Sequence, residues 1–332
     1  MNNKIKSHWN LKLKRGIKSK IRKLRRLHPV LSLTHRKTAL VLAGGGAKSL
    51  CQIGVLKVLE REKIPIDMIV GCSMGAIVGA LFSIGVPVEK IERIILDFCQ
   101  FKQIKEIEKT FTLEAEGIWK IGEFMRDLSF YLVNWFKESM WNEQTMIDGL
   151  SKLISPELTF SGTNIPFFCV ATDIKKGKRV IIGEGNLLRS VVASVSIPGL
   201  FTPIKEKDKL LVDGGVLSRM PVIAAEKMGA DFVIAISSGD LNDKESLKAL
   251  DIIIRTNEIK EVEFARIESL LADFLFSPST GEWDWFSFSH AEEIIKKGEE
   301  EATAQISSLK KALVDRDLQK KNLRGLVLPI FY

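Results

Sequence analysis

Residues 68–88, MIVGCSMGAIVGALFSIGVPV, run for 21 positions without a single charge. A stretch this long and apolar fits either the hydrocarbon of a bilayer or the interior of a folded domain. Glycines at 71, 75, 79 and 85, and the motif Gly71-Cys72-Ser73-Met74-Gly75 within it, favour the interior. We read a buried strand over Asp67–Val70, a sharp turn at Ser73, and a buried helix to about Gly85.

The flanking sequence extends that pattern. Thr38–Leu42 is a short apolar run entering Gly44-Gly45-Gly46, and residues 50–62 place Ile53, Leu56 and Leu59 at helical spacing. Pro65 separates that helix from the next strand, and Pro87 opens a further helix through about Phe98. Alternating strands and helices predict an α/β fold with a mostly parallel central sheet flanked by helices. Further strands are expected at Pro166–Ala171, Val180–Ile182, Lys209–Val212 and Asp231–Ile236, with a helix over Pro221–Met228 that ends at Gly229. Residues 240–285 read as helical, and 290–314 as a charged amphipathic helix. Residues 101–160 carry Trp119, Phe124, Trp135 and Trp141 among charges and read as a helical insertion. The expected partition is a basic tail (1–37), an α/β domain (38–240) and a C-terminal helical region (241–332) packed on the same domain.

Charge is distributed unevenly. Of 332 residues with a net charge of +8, residues 1–37 hold 13 Lys/Arg and no acidic residue. The rest of the chain holds 36 basic and 41 acidic residues, so the body is mildly acidic. That argues against a nucleic-acid-binding body, which would carry its own basic face. In the tail, Ile17, Ile21 and Leu24 follow i, i+4, i+7 spacing among lysines and arginines, with Trp9 nearby. Such a segment can lie on an anionic membrane. A solvated basic arm and an acid-poor organelle-targeting segment are alternative readings. No apolar core of a secretory signal follows the charges. The four cysteines form no CxxC pair and lie near no histidine, which disfavours zinc and a disulfide framework. A cytoplasmic, peripherally membrane-associated protein is the expectation.

Three local signals carry chemistry. A serine on a strand-to-helix turn, flanked by Gly71 and Gly75, presents its hydroxyl with the helix's amides behind it; the plainer alternative is a tight turn with a structural serine. Gly44-Gly45-Gly46-Ala47-Lys48-Ser49 also follows a strand and opens a helix. Ala47 before Lys48 breaks a phosphate-binding GxxxxGK[ST] loop, and Ser49 breaks a dinucleotide GxGxxG. The remaining reading is an oxyanion hole of backbone amides. Third, Asp213-Gly214-Gly215 follows the apolar run Leu210–Val212, where α/β sheets place catalytic groups; an Asp-Gly hairpin turn would give the same local pattern.

Together these blocks resemble the patatin-like phospholipase family. Leu42–Lys48, Gln52–Leu56, Ala171-Thr172-Asp173, Ala193–Phe201, Leu211–Gly215 and Met220-Pro221-Val222 match its pattern over about residues 38–240, more weakly at 290–312. The resemblance implies a Ser–Asp dyad, with Ser73 as nucleophile and Asp213 as general base. It places Gly44, Gly45 and Gly46 in the oxyanion loop with Lys48 as its basic residue, and it implies no cofactor or metal. The implied substrate is a phospholipid or other acyl lipid. A neutral-lipid hydrolase, an acyltransferase and a catalytically decayed membrane scaffold stay open. Ser49 and Ser218-Arg219-Met220 depart from the family pattern. The histidines fit a dyad: His8, His28 and His35 lie in the tail, which leaves His290, in what reads as the start of a surface helix.

Overall fold

The computed structural model describes residues 37–101, 104–106, 108, 142–242 and 249–327. The strands are β1 (Thr38–Leu42), β2 (Met68–Cys72), β3 (Phe167–Asp173), β4 (Lys178–Ile182), β5 (Ile204–Glu206), β6 (Lys209–Asp213), β7 (Phe232–Ile236) and β8 (Phe274–Phe276). The helices are α1 (Cys51–Arg61), α2 (Met74–Ser83), α3 (Val88–Cys99), α4 (Glu143–Leu150), α5 (Leu187–Val195), the single turn α6 (Gly215–Ser218), α7 (Val222–Lys227), α8 (Ala249–Ser269) and α9 (Ala291–Val327).

The eight strands form one sheet whose hydrogen-bonded neighbours run β5-β6-β3-β2-β1-β7-β8, with β4 also paired to β3. β1, β2, β3, β7 and β8 are mutually parallel, as β-α-β connections require, whereas β4 and β6 run antiparallel to β3. β1 and β2 are buried at every position, which explains why they read as unbroken apolar runs rather than alternating ones. The two-residue period sorts β1 between the two faces of the sheet. Leu40 and Leu42 pack with α1, α2, α3 and α5, and Ala39, Val41 and Ala43 pack with α7.

The long helix α9 packs across α1. The crossing is glycine on glycine: a Cβ on Gly54 would overlap the Ile295 carbonyl, and one on Gly298 would overlap the Cys51 carbonyl. Ile294, Ala302 and Leu309 fill the interface on the α9 side. A 3-10 turn, Gly46–Leu50, joins the glycine loop to Cys51 at the start of α1, so α9 presses on the element that continues from that loop.

One sequence expectation is corrected and one helix is added. Helix does not fill 240–285: α8 stops at Ser269, and Phe274–Phe276 pairs with β7 at the sheet edge. Pro278 and Gly281 then keep the chain irregular up to Phe288. The added helix is α5, whose β-branched Val191, Val192 and Val195 hide it from composition, since they favour strand. Asn186 starts it, its side chain accepting the Arg189 amide at 2.8 Å. The aromatic residues named in the insertion lie outside the described residues, as does the basic tail as far as residue 36.

Candidate active site

Ser73 sits between the end of β2 and the start of α2 with φ 52° and ψ −125°. Such a conformation costs a non-glycine residue about 1–3 kcal/mol and persists only where its surroundings impose it. Here they do. The Ser73 amide donates to Ser194 Oγ at 3.1 Å, and that hydroxyl donates to the Val170 carbonyl at 2.7 Å. The Ser73 carbonyl accepts the Ala76 and Ile77 amides, which start the helix. Gly75 lets α2 pass beneath the end of β1: a Cβ there would overlap the Leu42 carbonyl. Gly71 serves the same packing, since its Cβ would lie 2.5 Å from the Gly75 carbonyl.

Asp213 reaches Ser73 through the sheet. β2 pairs with β3 as far as Cys72 opposite Val170, and β6 pairs with it from Asp213 opposite Ala171. β4 runs along the other edge of β3. The antiparallel β6 therefore takes up the edge where the parallel β2 leaves it, and the two strands meet C-terminus to C-terminus. Ser73 Oγ donates to Asp213 Oδ2 at 2.6 Å. Asp213 Oδ1 accepts the Gly215 amide at 2.6 Å, with Cys72 Sγ 3.9 Å away. The Asp213 amide donates to the Ser196 carbonyl at 2.8 Å. Gly214 lies flat on β3, where a Cβ would come within 2.5 Å of the Val170 carbonyl. The side chains of Ser73 and Asp213 are both buried. Burial lifts the Asp213 carboxyl from 3.8 to about 6, against the hydrogen bonds from Ser73 and Gly215 that pull it down.

The glycine loop lies against this pair. A Cβ on Gly44 would stand 3.2 Å from Ser73 Cβ. Gly45 adopts φ 148° and Gly46 φ 58°. The loop's amides are not equivalent. Gly44 N–H donates to the Arg219 carbonyl at 2.8 Å and Ala47 N–H to the Trp285 carbonyl at 2.7 Å. The amides of Gly45 and Gly46 have no hydrogen-bond partner among the described residues. Lys48 is buried with its ammonium on the Asp240 carbonyl. Burial, reinforced by the charge of Arg219, brings it down to about 8. Ser49 is buried, and its hydroxyl has no partner among the described residues.

His290 ends a short 3-10 turn before α9, is exposed, and pairs with Glu293 at 3.3 Å. None of its recorded contacts reaches Ser73 or Asp213. The sequence assigned no role to Ser194 on α5, to Ser238, whose hydroxyl donates to the Gly44 carbonyl at 2.8 Å, or to Glu261 on α8, whose carboxylate lies beside Gly215. Nothing in their spacing marks them, because each meets the site only through tertiary packing. Arg219 was legible only as a departure from a pattern.

A family model described as patatin-like phospholipase matches residues 40–226. The chain belongs to the patatin-like phospholipase family. Among curated relatives, a lysophospholipase NTE1 of Meyerozyma guilliermondii is 28% identical over 258 residues, covering 76% of this chain and 16% of that protein. Patatin-like phospholipase domain-containing protein 7 of Mus musculus is 32% identical over 215 residues, covering 64% of this chain and 14% of its own length. The chain thus spans less than a fifth of either relative. Among solved structures, VipD from Legionella pneumophila aligns with a TM-score of 0.45 at 15% identity, covering 83% of this chain and 67% of that one.

Proposed function

We propose that this chain is a serine lipid acyl hydrolase of the phospholipase A or lysophospholipase type, working through Ser73 and Asp213. The observation that carries the reading is the 2.6 Å hydrogen bond from a strained, buried serine to a buried carboxylate. Asp213 takes the proton as Ser73 Oγ attacks the acyl carbonyl, and the loop amides hold the oxyanion. Collapse breaks the ester bond, and Asp213 returns its proton to the departing alcohol. Water, deprotonated by the same carboxylate, then releases the fatty acid from Ser73 and regenerates the enzyme.

A carboxylate with an ordinary pKa is a weak base for a hydroxyl, and burial makes Asp213 a stronger one. An apolar cluster of Ile197, Leu200, Phe201, Trp285 and Phe286 adjoins the loop through the Trp285 carbonyl, offering acyl carbons a dry wall. The relatives' names, lysophospholipase and phospholipase domain protein, agree with a single-chain or two-chain phospholipid as substrate. The basic tail would bring the enzyme to anionic membrane surfaces. Among the described residues no helix is long and apolar enough to cross a membrane.

The test is product analysis on lysophosphatidylcholine with wild type, Ser73→Ala, Asp213→Asn and His290→Ala. Free fatty acid and glycerophosphocholine are expected from wild type and His290→Ala, and neither from the two dyad variants. Activity retained in Asp213→Asn and lost in His290→Ala would overturn the assignment.

A further inference from the structure

Arg219 is 5% exposed and grips one residue on both sides. Its carbonyl accepts the Gly44 N–H at 2.8 Å, while its Nε donates to the Gly44 carbonyl at 3.0 Å. Its Nη2 donates to Ser238 Oγ at 2.9 Å, and that hydroxyl donates to the same Gly44 carbonyl at 2.8 Å. The Gly44 carbonyl therefore receives two donors, one of them from a cation.

That carbonyl and the Gly45 N–H belong to one peptide group. The group is planar and trans, so its oxygen and its amide hydrogen point in opposite directions. With the oxygen locked onto Arg219 and Ser238, the N–H must face away from them. Donors on the oxygen also draw electron density toward it and leave the amide hydrogen a stronger donor. The Gly45 amide has no other partner among the described residues. The site admits only glycine, since a Cβ on Gly45 would stand 2.5 Å from Ser238 Oγ and 2.6 Å from Arg219 Nη2.

We propose that Arg219 is a positioning residue that fixes and polarises the Gly44–Gly45 peptide, making the Gly45 N–H a donor to the reaction's oxyanion. This rests on the acyl-hydrolase reading. It gives Arg219 a task that lysine cannot perform, because the planar fork reaches Gly44 O and Ser238 Oγ from one side chain. Arg219 also joins the two halves of the site, because it lies on the loop that follows Asp213 and holds the loop that faces Ser73.

The experiment measures hydrolysis of a soluble p-nitrophenyl ester, with labelling of Ser73 by a fluorophosphonate, in wild type, Arg219→Ala, Arg219→Lys and Ser238→Ala. Loss of one oxyanion donor costs about 10²–10³ in rate, so Arg219→Ala is expected to lose about 10²-fold in kcat with KM nearly unchanged. Free guanidinium should restore part of that loss. Arg219→Lys keeps the positive charge near Asp213, so its pH midpoint should stay at the wild-type value while kcat still falls. Ser238→Ala, which leaves the arginine in place, should lose about two- to tenfold in kcat, the worth of one hydrogen bond. Should Arg219→Ala fail to fold, Arg219→Lys and Ser238→Ala decide. A folded variant of either residue with wild-type kcat would overturn the proposal, as would a loss confined to KM or to a shifted pH midpoint in Arg219→Lys. If wild type neither turns over nor labels at Ser73, the acyl-hydrolase reading itself fails, and this inference falls with it.

Discussion

Cys72 and Asp213 end two strands that converge on neighbouring positions of β3, opposite Val170 and Ala171. One strand runs with β3 and the other against it, so two C-terminal ends come together. The residue after the first end is Ser73, and the last residue of the second is the carboxylate. The switch from parallel to antiparallel pairing on one edge thus closes a gap of 140 residues without help from a loop.

Asp213 must be ionised to accept a proton, and burial holds its carboxyl up at about 6. Hydrolysis is therefore expected to fall about tenfold per pH unit below 6 and to level off above it. Arg219 and Cys72 face this carboxyl, and so does Glu261, whose own carboxyl is pushed to about 7 by burial and then by the charge of Asp213. A profile of kcat/KM on a soluble ester from pH 4.5 to 8.5, a range of about four units around that midpoint, checks this.

The same burial carries a stability cost. The folded-state pKa of Asp213 lies above its unfolded value, so the folded protein holds this proton more tightly. The penalty is absent below about pH 4 and is reached as pH rises through about 6; a shift from 3.8 to about 6 sets its upper size near 3 kcal/mol. Asp213→Asn, though inactive, is expected to melt higher than wild type at pH 8, with the advantage gone at pH 4. Thermal melts at the two pH values measure it.

The α1–α9 crossing has no room for a side chain at Gly298. Gly298→Ala is expected to cost about 1–3 kcal/mol through overpacking, read as a lower urea midpoint. Because only the 3-10 turn Gly46–Leu50 separates Cys51 from the glycine loop, ester turnover should fall as well, although Gly298 lies on a helix that carries neither Ser73 nor Asp213.

Removing residues 1–36, which carry 12 Lys/Arg, should weaken binding to anionic vesicles and leave turnover of a soluble ester unchanged. Cosedimentation at low and high salt tests this, since an electrostatic contribution fades with screening. Equal losses of binding and turnover would count against a membrane role for the tail.

The parallel strands were legible because burial on both faces leaves unbroken apolar runs, and Gly71–Gly75 was legible because a strained turn and a close helix leave glycines at fixed offsets. Ser73 and Asp213 stood out in their local contexts beside plainer turn readings, and their pairing was implied only by the family resemblance. What could not be read was the mechanism of their meeting: β6 joins β3 through backbone pairing, which leaves no mark on side-chain pattern. Phe274–Phe276 was lost in a helical reading because three residues are too few to show a period. Arg219 and Ser238 hydrogen-bond the Gly44 carbonyl from 175 and 194 residues away, and no spacing rule encodes such a contact.

The most direct measurement is the rate of fluorophosphonate labelling, mapped by peptide mass spectrometry, in wild type, Asp213→Asn and His290→Ala. The expected result is a single modified serine, Ser73, in wild type and His290→Ala at equal rates. Labelling of Asp213→Asn should be slower by about 10²–10⁴, the range for loss of a general base. Labelling at another serine, or at an undiminished rate in Asp213→Asn, would contradict the pairing of Ser73 with Asp213 as the reacting unit.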